Sequence, residues 1–249
     1  MGILNVTPDS FSDGGLWTDR DVALRHAFEM VDQGADIIDI GAESTRPGCQ
    51  SVTSGEEMER LEPVLRDLLP SIDVPVSVDT MKPEVAGMCI SMGVDMINDV
   101  NGLRASGMAE VCAGADVDVV ISHMYGPYDT LHSVTMGDGY REEIAAFLDA
   151  QCGMARDAGI QDDRIIVDPG VGFGKTADQN LEIVRDLSFL GHDHRILVGL
   201  SRKRFIRNFY PDMDADDASA FLSKTAADAG ADIVRVHNVA RTIASLRPL

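Results

Sequence analysis

Eight short apolar runs recur along the 249-residue chain, each followed by an amphipathic stretch, and this alternation constrains the fold more than any other feature. The runs are residues 2–6 (GILNV), 35–42 (ADIIDIGA), 74–79 (VPVSVD), 94–99 (VDMIND), 117–123 (VDVVISH), 164–170 (RIIVDPG), 195–201 (RILVGLS) and 231–237 (ADIVRVH). They are rich in Val and Ile and lack polar alternation, the signature of parallel strands covered on both faces. Helical patterns fill the gaps at 18–33, 54–69, 83–91, 106–113, 139–158, 178–189, 214–229 and 239–246. In the first, Val22, Leu24, Ala27, Phe28 and Val31 mark the apolar face, Thr18 or Asp19 the cap and Gly34 the stop. Eight such units in about 250 residues predict one α/β domain over residues 1–249, a (β/α)8 TIM barrel. A doubly wound open sheet is the alternative; no linker or composition break suggests a second domain.

Composition narrows the partners. Asp plus Glu number 41 against 21 Lys plus Arg, a net charge of −20, which excludes the basic footprint of a nucleic-acid binder. The 17 Arg, four Lys and thirty Asp resemble a surface suited to concentrated salt, as in a halophile, where screening relieves self-repulsion. No apolar run approaches the roughly 20 residues of a membrane span. The start, MGILNVTPDSF, lacks the parts of a signal peptide, so a cytoplasmic location is expected. Cys49, Cys89, Cys112 and Cys152 are scattered without a CxxC pair, as for inert thiols in a reducing compartment.

Barrel active sites lie at the C-terminal ends of the strands, and every run here ends in polar residues. Asn5 and TPDSFSDGG follow the first and Glu43-Ser-Thr-Arg-Pro-Gly the second; Asp79 ends the third and Asn98-Asp99 the fourth. His123-Met124, Asp168-Pro-Gly, Ser201-Arg-Lys203 and Arg235-Val-His237 end the rest. Asp79, Asn98 and Asp168 together suit the edge of a flat heterocycle carrying ring N–H and amino groups, because carboxylates accept two N–H bonds and Asn both donates and accepts. Arg202, Lys203, Arg235 and His237, at the seventh and eighth strands where barrels often hold phosphate, and Arg46 in a Pro-Gly loop, are cations in an acidic chain and suggest an anion site. Gly170-Val-Gly-Phe-Gly-Lys175-Thr is not a Walker loop; it reads as a tight loop bringing backbone close to a ligand, with Phe173 and Met124 able to cover a ring. The 7–15 loop, with Asp9, Asp13, Gly14 and Gly15, reads as a lid, and with Asn5 as a perch for Mg²⁺, which takes oxygen ligands. His26, His132, His192 and His194 are read as surface residues, and Asp212, Asp214, Asp216 and Asp217 as a solvated helix start.

These segments together resemble the dihydropteroate synthase family. The resemblance runs nearly the whole chain, through MGILNVTPDSFSDGG, ESTRPG, SVDT, IND, HM, DPGVGFGK, SRK and RVH, in order. It implies a TIM barrel of folate biosynthesis, and a sulfonamide target, that joins 6-hydroxymethyl-7,8-dihydropterin pyrophosphate to p-aminobenzoate and releases pyrophosphate. By the resemblance, Asp79, Asn98, Met124, Asp168, Phe173 and Lys203 bind the pterin. Asn5, Arg235 and His237 bind the pyrophosphate, with Mg²⁺ at Asn5 as cofactor. Phe11, Thr45, Arg46, Pro47 and Ser201 bind p-aminobenzoate, and the chemistry falls to Lys203, Arg235, His237, Asp13 and Arg46. The family also implies a homodimer, and fusion to another folate enzyme is a possibility.

Departures are an expected N-terminal hairpin that is not seen, Arg207 where a Gly is common after Ile206, Asn238 where Asp is common, and a short C-terminus. Two other functions compete. A pterin-binding methyltransferase barrel serving a corrinoid would need no ESTRPG or SRK segment. A non-catalytic pterin-binding domain would not need Lys203, Arg235 and His237 together.

Overall fold

The computed structural model describes residues 1–7, 16–43, 51–126, 134–191 and 193–247, residues 16–19 by backbone only. Among them, eight parallel strands pair in chain order: β1 (Gly2–Asn5), β2 (Ile38–Gly41), β3 (Val76–Asp79), β4 (Met96–Asp99), β5 (Asp118–Ser122), β6 (Ile165–Asp168), β7 (Arg195–Gly199) and β8 (Ile233–Arg235). The last strand returns to the first: Ile3 N donates to Val236 O at 2.9 Å and Val236 N to Met1 O at 3.0 Å. The sheet therefore closes into the expected (β/α)8 barrel, not an open doubly wound sheet. No described helix is long and apolar enough to cross a membrane.

The helices are α1 (Leu16–Asp32), α2 (Ser54–Leu68), α3 (Pro83–Met92), α4 (Met108–Ala113), α5 (Tyr140–Ala158), α6 (Ala177–Arg185), α7 (Ile206–Phe209), α8 (Ala215–Asp228) and α9 (Val239–Leu246). Local chemistry sets their ends. Thr53 and Thr176 form capping boxes with Glu56 and Gln179, and Asp214 accepts from Asp216 N and Asp217 N, as its charge run suggested. Asn238 caps α9 through Oδ1 while its Nδ2 donates to Asp216 at 3.0 Å.

Several expectations shift. The helix over 18–33 starts at Leu16, so Thr18 and Asp19 lie inside α1 and are not its cap. Its buried face is Ala23, Ala27 and Met30, and Phe28 is exposed. Gly34 does end it, at φ +99°. The helix expected over 178–189 stops at Arg185, and α7 was not expected. His194 is largely covered, its side chain 13% exposed, with Nε2 3.9 Å from Asp162. Cys89, Cys112 and Cys152 are buried free thiols; burial pushes them up to about 12, 12 and 11, which leaves them inert.

Side chains alternate across each short strand, and the two faces bury different things. Outward-facing Leu4, Ile38, Ile40, Val78, Ile97, Val119, Ile121 and Val198 pack under the helices. Inside the barrel, Met1, Met96, Val120, Ile166 and Leu197, with Ile37 and Ile233, make an apolar floor. Two residues further along the same strands the inward positions turn polar: Asp39, Asn98, Ser122, Asp168 and Arg235.

Candidate active site

Register lines up the polar positions at the strands' C-terminal ends. Asn5 stands beside Gly41, Gly41 beside Asp79, and Asp79 beside Asn98. Across the mouth, Ser122 pairs with Asp168 and Gly199 with Arg235. Asn5, Asp79, Asn98, Asp168 and Arg235 thus all stand at or next to the C-terminal ends of their strands, as the strand-end rule predicted.

The centre of the network is Asp39, which sequence reasoning missed. It is fully buried; Oδ2 accepts from Arg235 Nε at 2.5 Å and Asn98 Nδ2 at 3.3 Å, and Oδ1 from Ser77 Oγ at 2.6 Å. Arg235 also donates to Asp79 Oδ2 at 2.8 Å. Burial opposes the Arg235 charge, but Asp39 and Asp79 hold its pKa above the ordinary value. Burial raises Asp79 against the pull of Arg235. Because its Nδ2 is committed to Asp39, Asn98 leaves Oδ1 buried and, among the described residues, without a hydrogen-bond partner. An orphaned buried acceptor costs about 1–3 kcal/mol, which a ligand N–H would recover.

Asp168 is held from two sides, Oδ1 accepting from Gly170 N at 2.8 Å and Oδ2 from Ser122 Oγ at 3.1 Å. Each oxygen keeps a second lone pair. Burial raises its pKa, opposed first by Lys203. Lys203 Nζ sits 4.4 Å from the Phe173 ring centroid and donates to Val171 O. Burial lowers its pKa to about 8 while Asp168 holds it up. Met124, Phe173 and Val100, with Met81, form an apolar cluster separate from the main core. It stands beside these polar groups, as a wall for a flat ring should.

The glycine loop after β6 packs closely on the protein's own chain. A Cβ on Gly170 (φ +68°) would sit 1.7 Å from His123 O, and one on Gly172 (φ +87°) 2.8 Å from Lys203 Cδ. The glycines let the loop approach the protein's own chain and set Lys203. Lys175, at its end, is buried.

Not every strand-end group joins the mouth. Asp99 faces outward and accepts from Asn101 N and Leu103 N at 2.8 Å, bracing a turn in which Leu103 takes φ +59°. His123 faces outward against Phe147. Arg202 does not enter the anion site: it forms a fork with Asp216 at 2.6 and 3.0 Å, because its backbone turns at φ +59° toward α8. Ser201 Oγ accepts from His237 N at 3.1 Å and lies 3.0 Å from His237 Nδ1, so Ser201 and His237 form one unit. Phe11, Asp13, Thr45, Arg46 and Pro47, and with them Asp9, Gly14 and Gly15, lie outside the described residues. The boundary of that second segment is braced by a further missed group. Lys82 Nζ donates to Glu43 Oε2 at 2.6 Å and to buried Glu57, and Glu43 Oε1 accepts from Val52 N at 3.1 Å. No signal in the sequence marked Asp39, Glu57 or Lys82: the first two lie within an ordinary strand or helix pattern, and Lys82 in the short connection before α3.

Asn5 is the one expected cation ligand among the described residues. Its Oδ1 and the Asp79 side chain both face Gly41. No group of three or more described His, Cys, Asp or Glu side chains forms a metal cage. A lone amide oxygen suits an ion that brings most of its ligands with a phosphate.

Residues 1–237 match the sequence model of the family described as Pterin binding enzyme. The dihydropteroate synthase of Synechocystis sp. is 41% identical over 244 residues, 96% of this chain and 84% of that protein. The probable bifunctional folylpolyglutamate synthase/dihydropteroate synthase of Halobacterium salinarum is 42% identical over 250 residues, 99% of this chain and 30% of the longer fusion. The crystal structure of the FolP dihydropteroate synthase of Clostridium difficile, in the presence of pteroic acid, superposes with a TM-score of 0.91 at 43% identity, covering 99% of this chain and 93% of that one. With the family matched along almost the whole barrel and relatives above 40% identity, the chain belongs to the pterin-binding enzymes and, among them, to the dihydropteroate synthases.

Proposed function

We propose that this barrel condenses 6-hydroxymethyl-7,8-dihydropterin pyrophosphate with p-aminobenzoate, and that the residues at its mouth divide the work as follows. The observation that carries the assignment is the Asn98 Oδ1, buried and without a hydrogen-bond partner among the described residues, beside Asp79 on the neighbouring strand. Asp168 and Asn98 accept the pterin's N–H groups, and Asp79 completes the edge. Phe173 and Met124 wall the ring, and Lys203 donates to it. Pteroic acid, found with the Clostridium difficile relative, is a pterin joined to p-aminobenzoate, which supports both halves of the reading.

The reaction breaks the bond between the exocyclic carbon and the pyrophosphate oxygen, which leaves with the electron pair. The pterin carries the resulting positive charge, and buried Asp168 and Asp79 favour it. Arg235, His237 and Asn5 bind the departing pyrophosphate. Arg235 changes partners to do so, trading part of its contact with Asp39 and Asp79 for the anion. The amine nitrogen of p-aminobenzoate then bonds to the carbon and loses a proton to solvent or pyrophosphate. Asn5 would hold Mg²⁺, which would supply neutralisation of the pyrophosphate charge. Phe11, Asp13, Thr45, Arg46, Pro47 and Ser201 are assigned to the acceptor side by the family likeness.

The test is an assay with Mg²⁺, dihydropterin pyrophosphate and p-aminobenzoate that follows dihydropteroate by mass. Product that falls with a sulfonamide is expected. Folded protein that binds the pterin pyrophosphate yet forms no product would overturn the acceptor assignment, and a cobalamin requirement would favour the methyltransferase reading. We also propose a cytoplasmic homodimer, tested by light scattering, and adaptation to salt. The net charge of −20 supports the latter. Secondary structure is expected to weaken on desalting and return in molar KCl; a spectrum indifferent to salt would remove that reading.

A further inference from the structure

Lys175 has no part in the chemistry above, yet it is one of the most costly residues in the chain. It is 7% exposed, and burial lowers its pKa to about 7 against the pull of Asp168. Its Nζ lies 2.9 Å from Gly170 O, 3.1 Å from Phe173 O and 3.0 Å from His123 Nδ1. Three partners match the three donors of an ammonium. Two are carbonyls of the glycine loop, and the third is a side chain at the end of β5. The ammonium therefore gathers the loop around itself and pins it to the neighbouring strand end.

That loop places two pterin-pocket elements at once. Phe173 stands on it, and its Val171 carbonyl and Phe173 ring are the described contacts of the Lys203 ammonium. Its own start, Gly170 N, holds Asp168 Oδ1. We propose that Lys175 is a positioning residue for the pterin pocket: through Gly170 and Phe173 it sets Phe173, Lys203 and Asp168 for the ring. The inference rests on the pterin-pocket reading given above.

At metal sites, loss of a partner that orients a ligand costs about 10–100-fold in affinity or activity, and an effect at the lower end of that scale is expected here. Lys175→Met keeps the length and removes the donors. The expected result is a rise of about tenfold or more in both the KM and the calorimetric Kd for dihydropterin pyrophosphate. The kcat at saturation and the KM for p-aminobenzoate stay within about threefold. Simple destabilisation would lower the active fraction, and so kcat, and leave KM unchanged. His123→Phe removes one partner and keeps the two carbonyls, so a smaller rise in the same KM is expected; it keeps the test open if Lys175→Met does not fold. Unchanged pterin Kd in a folded Lys175→Met, or in His123→Phe if only that folds, would overturn the proposal, as would a loss confined to kcat. Wild-type protein that fails to bind dihydropterin pyrophosphate would instead overturn the pocket reading itself.

Discussion

The floor and the mouth of this barrel are built on the same strands, two residues apart, and follow opposite rules. The floor, Met1, Met96, Val120, Ile166 and Leu197, is uniformly apolar and satisfied by packing alone. The mouth, with Asp39, Asn98 and Asp168 buried and Arg235 partly so, is polar and only partly satisfied. Each buried floor side chain contributes on the order of 1.5–3 kcal/mol. Asp79 and Asp168 at this mouth sit above their ordinary pKa because burial penalises their charge, so they cost stability in the empty protein. One end holds the barrel together; the other keeps unfilled hydrogen-bonding capacity for a ligand.

Four substitutions test that division, beginning with the most damaging. Arg235→Ala leaves Asp39 buried without its cation and is expected to cost about 3–5 kcal/mol of stability in a denaturant titration. It should also weaken pyrophosphate-bearing substrate more than free hydroxymethyl-dihydropterin; equal losses for the two ligands would remove Arg235 from the pyrophosphate site. Leu197→Ala, in the floor, is expected to cost about 2–5 kcal/mol, a fall of roughly 5–15 °C in Tm for a chain of this size. The KM for either substrate should not move, and a changed KM would mean that the floor shapes the mouth.

Asp168→Asn reverses that pattern. Losing a charged acceptor should weaken pterin binding by about 1.5–3 kcal/mol, while Tm holds or rises. Burial lifts the folded-state pKa of Asp168 above its ordinary 3.8. The folded chain therefore keeps this proton more tightly than the unfolded one, and the carboxyl's contribution to stability falls as pH rises above about 4. Melting curves across pH 4 to about 8 should show a shallower decline in the Asn variant; parallel curves would mean that Asp168 is not strained by its burial. Asp216→Asn should do least. Arg202 is half exposed and the pair lies outside the mouth, so a loss of at most about 1 kcal/mol is expected, with activity unchanged. Asp216 is held down to about 2, first by its bond to Arg202, so its contribution is present above 3.8 and disappears as pH falls toward 2.

Much of this was legible before any coordinates. The eight strands lie within the eight apolar runs, and Asp79, Asn98, Asp168 and Arg235 were marked by their place at the ends of those runs and Lys203 by its place just after one. What misled was treating every polar strand end alike. Asp99 and Asn98 are adjacent, yet one braces a turn outside the barrel and the other faces the cavity. Arg202 and Lys203 are adjacent, yet one pairs with α8 and the other covers Phe173.

The reason lies in what a strand buried on both faces can and cannot display. Its apolar run reveals that it is a strand, its polar end where chemistry can occur, and its capping residues where the next helix starts; all are local, and the sequence by itself determined them. Which face each side chain takes is a matter of parity, and runs apolar on both faces carry no alternation from which to read it. Pairing across the barrel is less local still. Asp39 sits inside an apolar run, and only closure of the sheet brings it to Arg235, 196 residues away. Lys175 meets His123 only because β5 and β6 are neighbours and the glycine loop folds back between them. Tertiary structure decided which charges were committed to each other and which acceptors were left for a ligand.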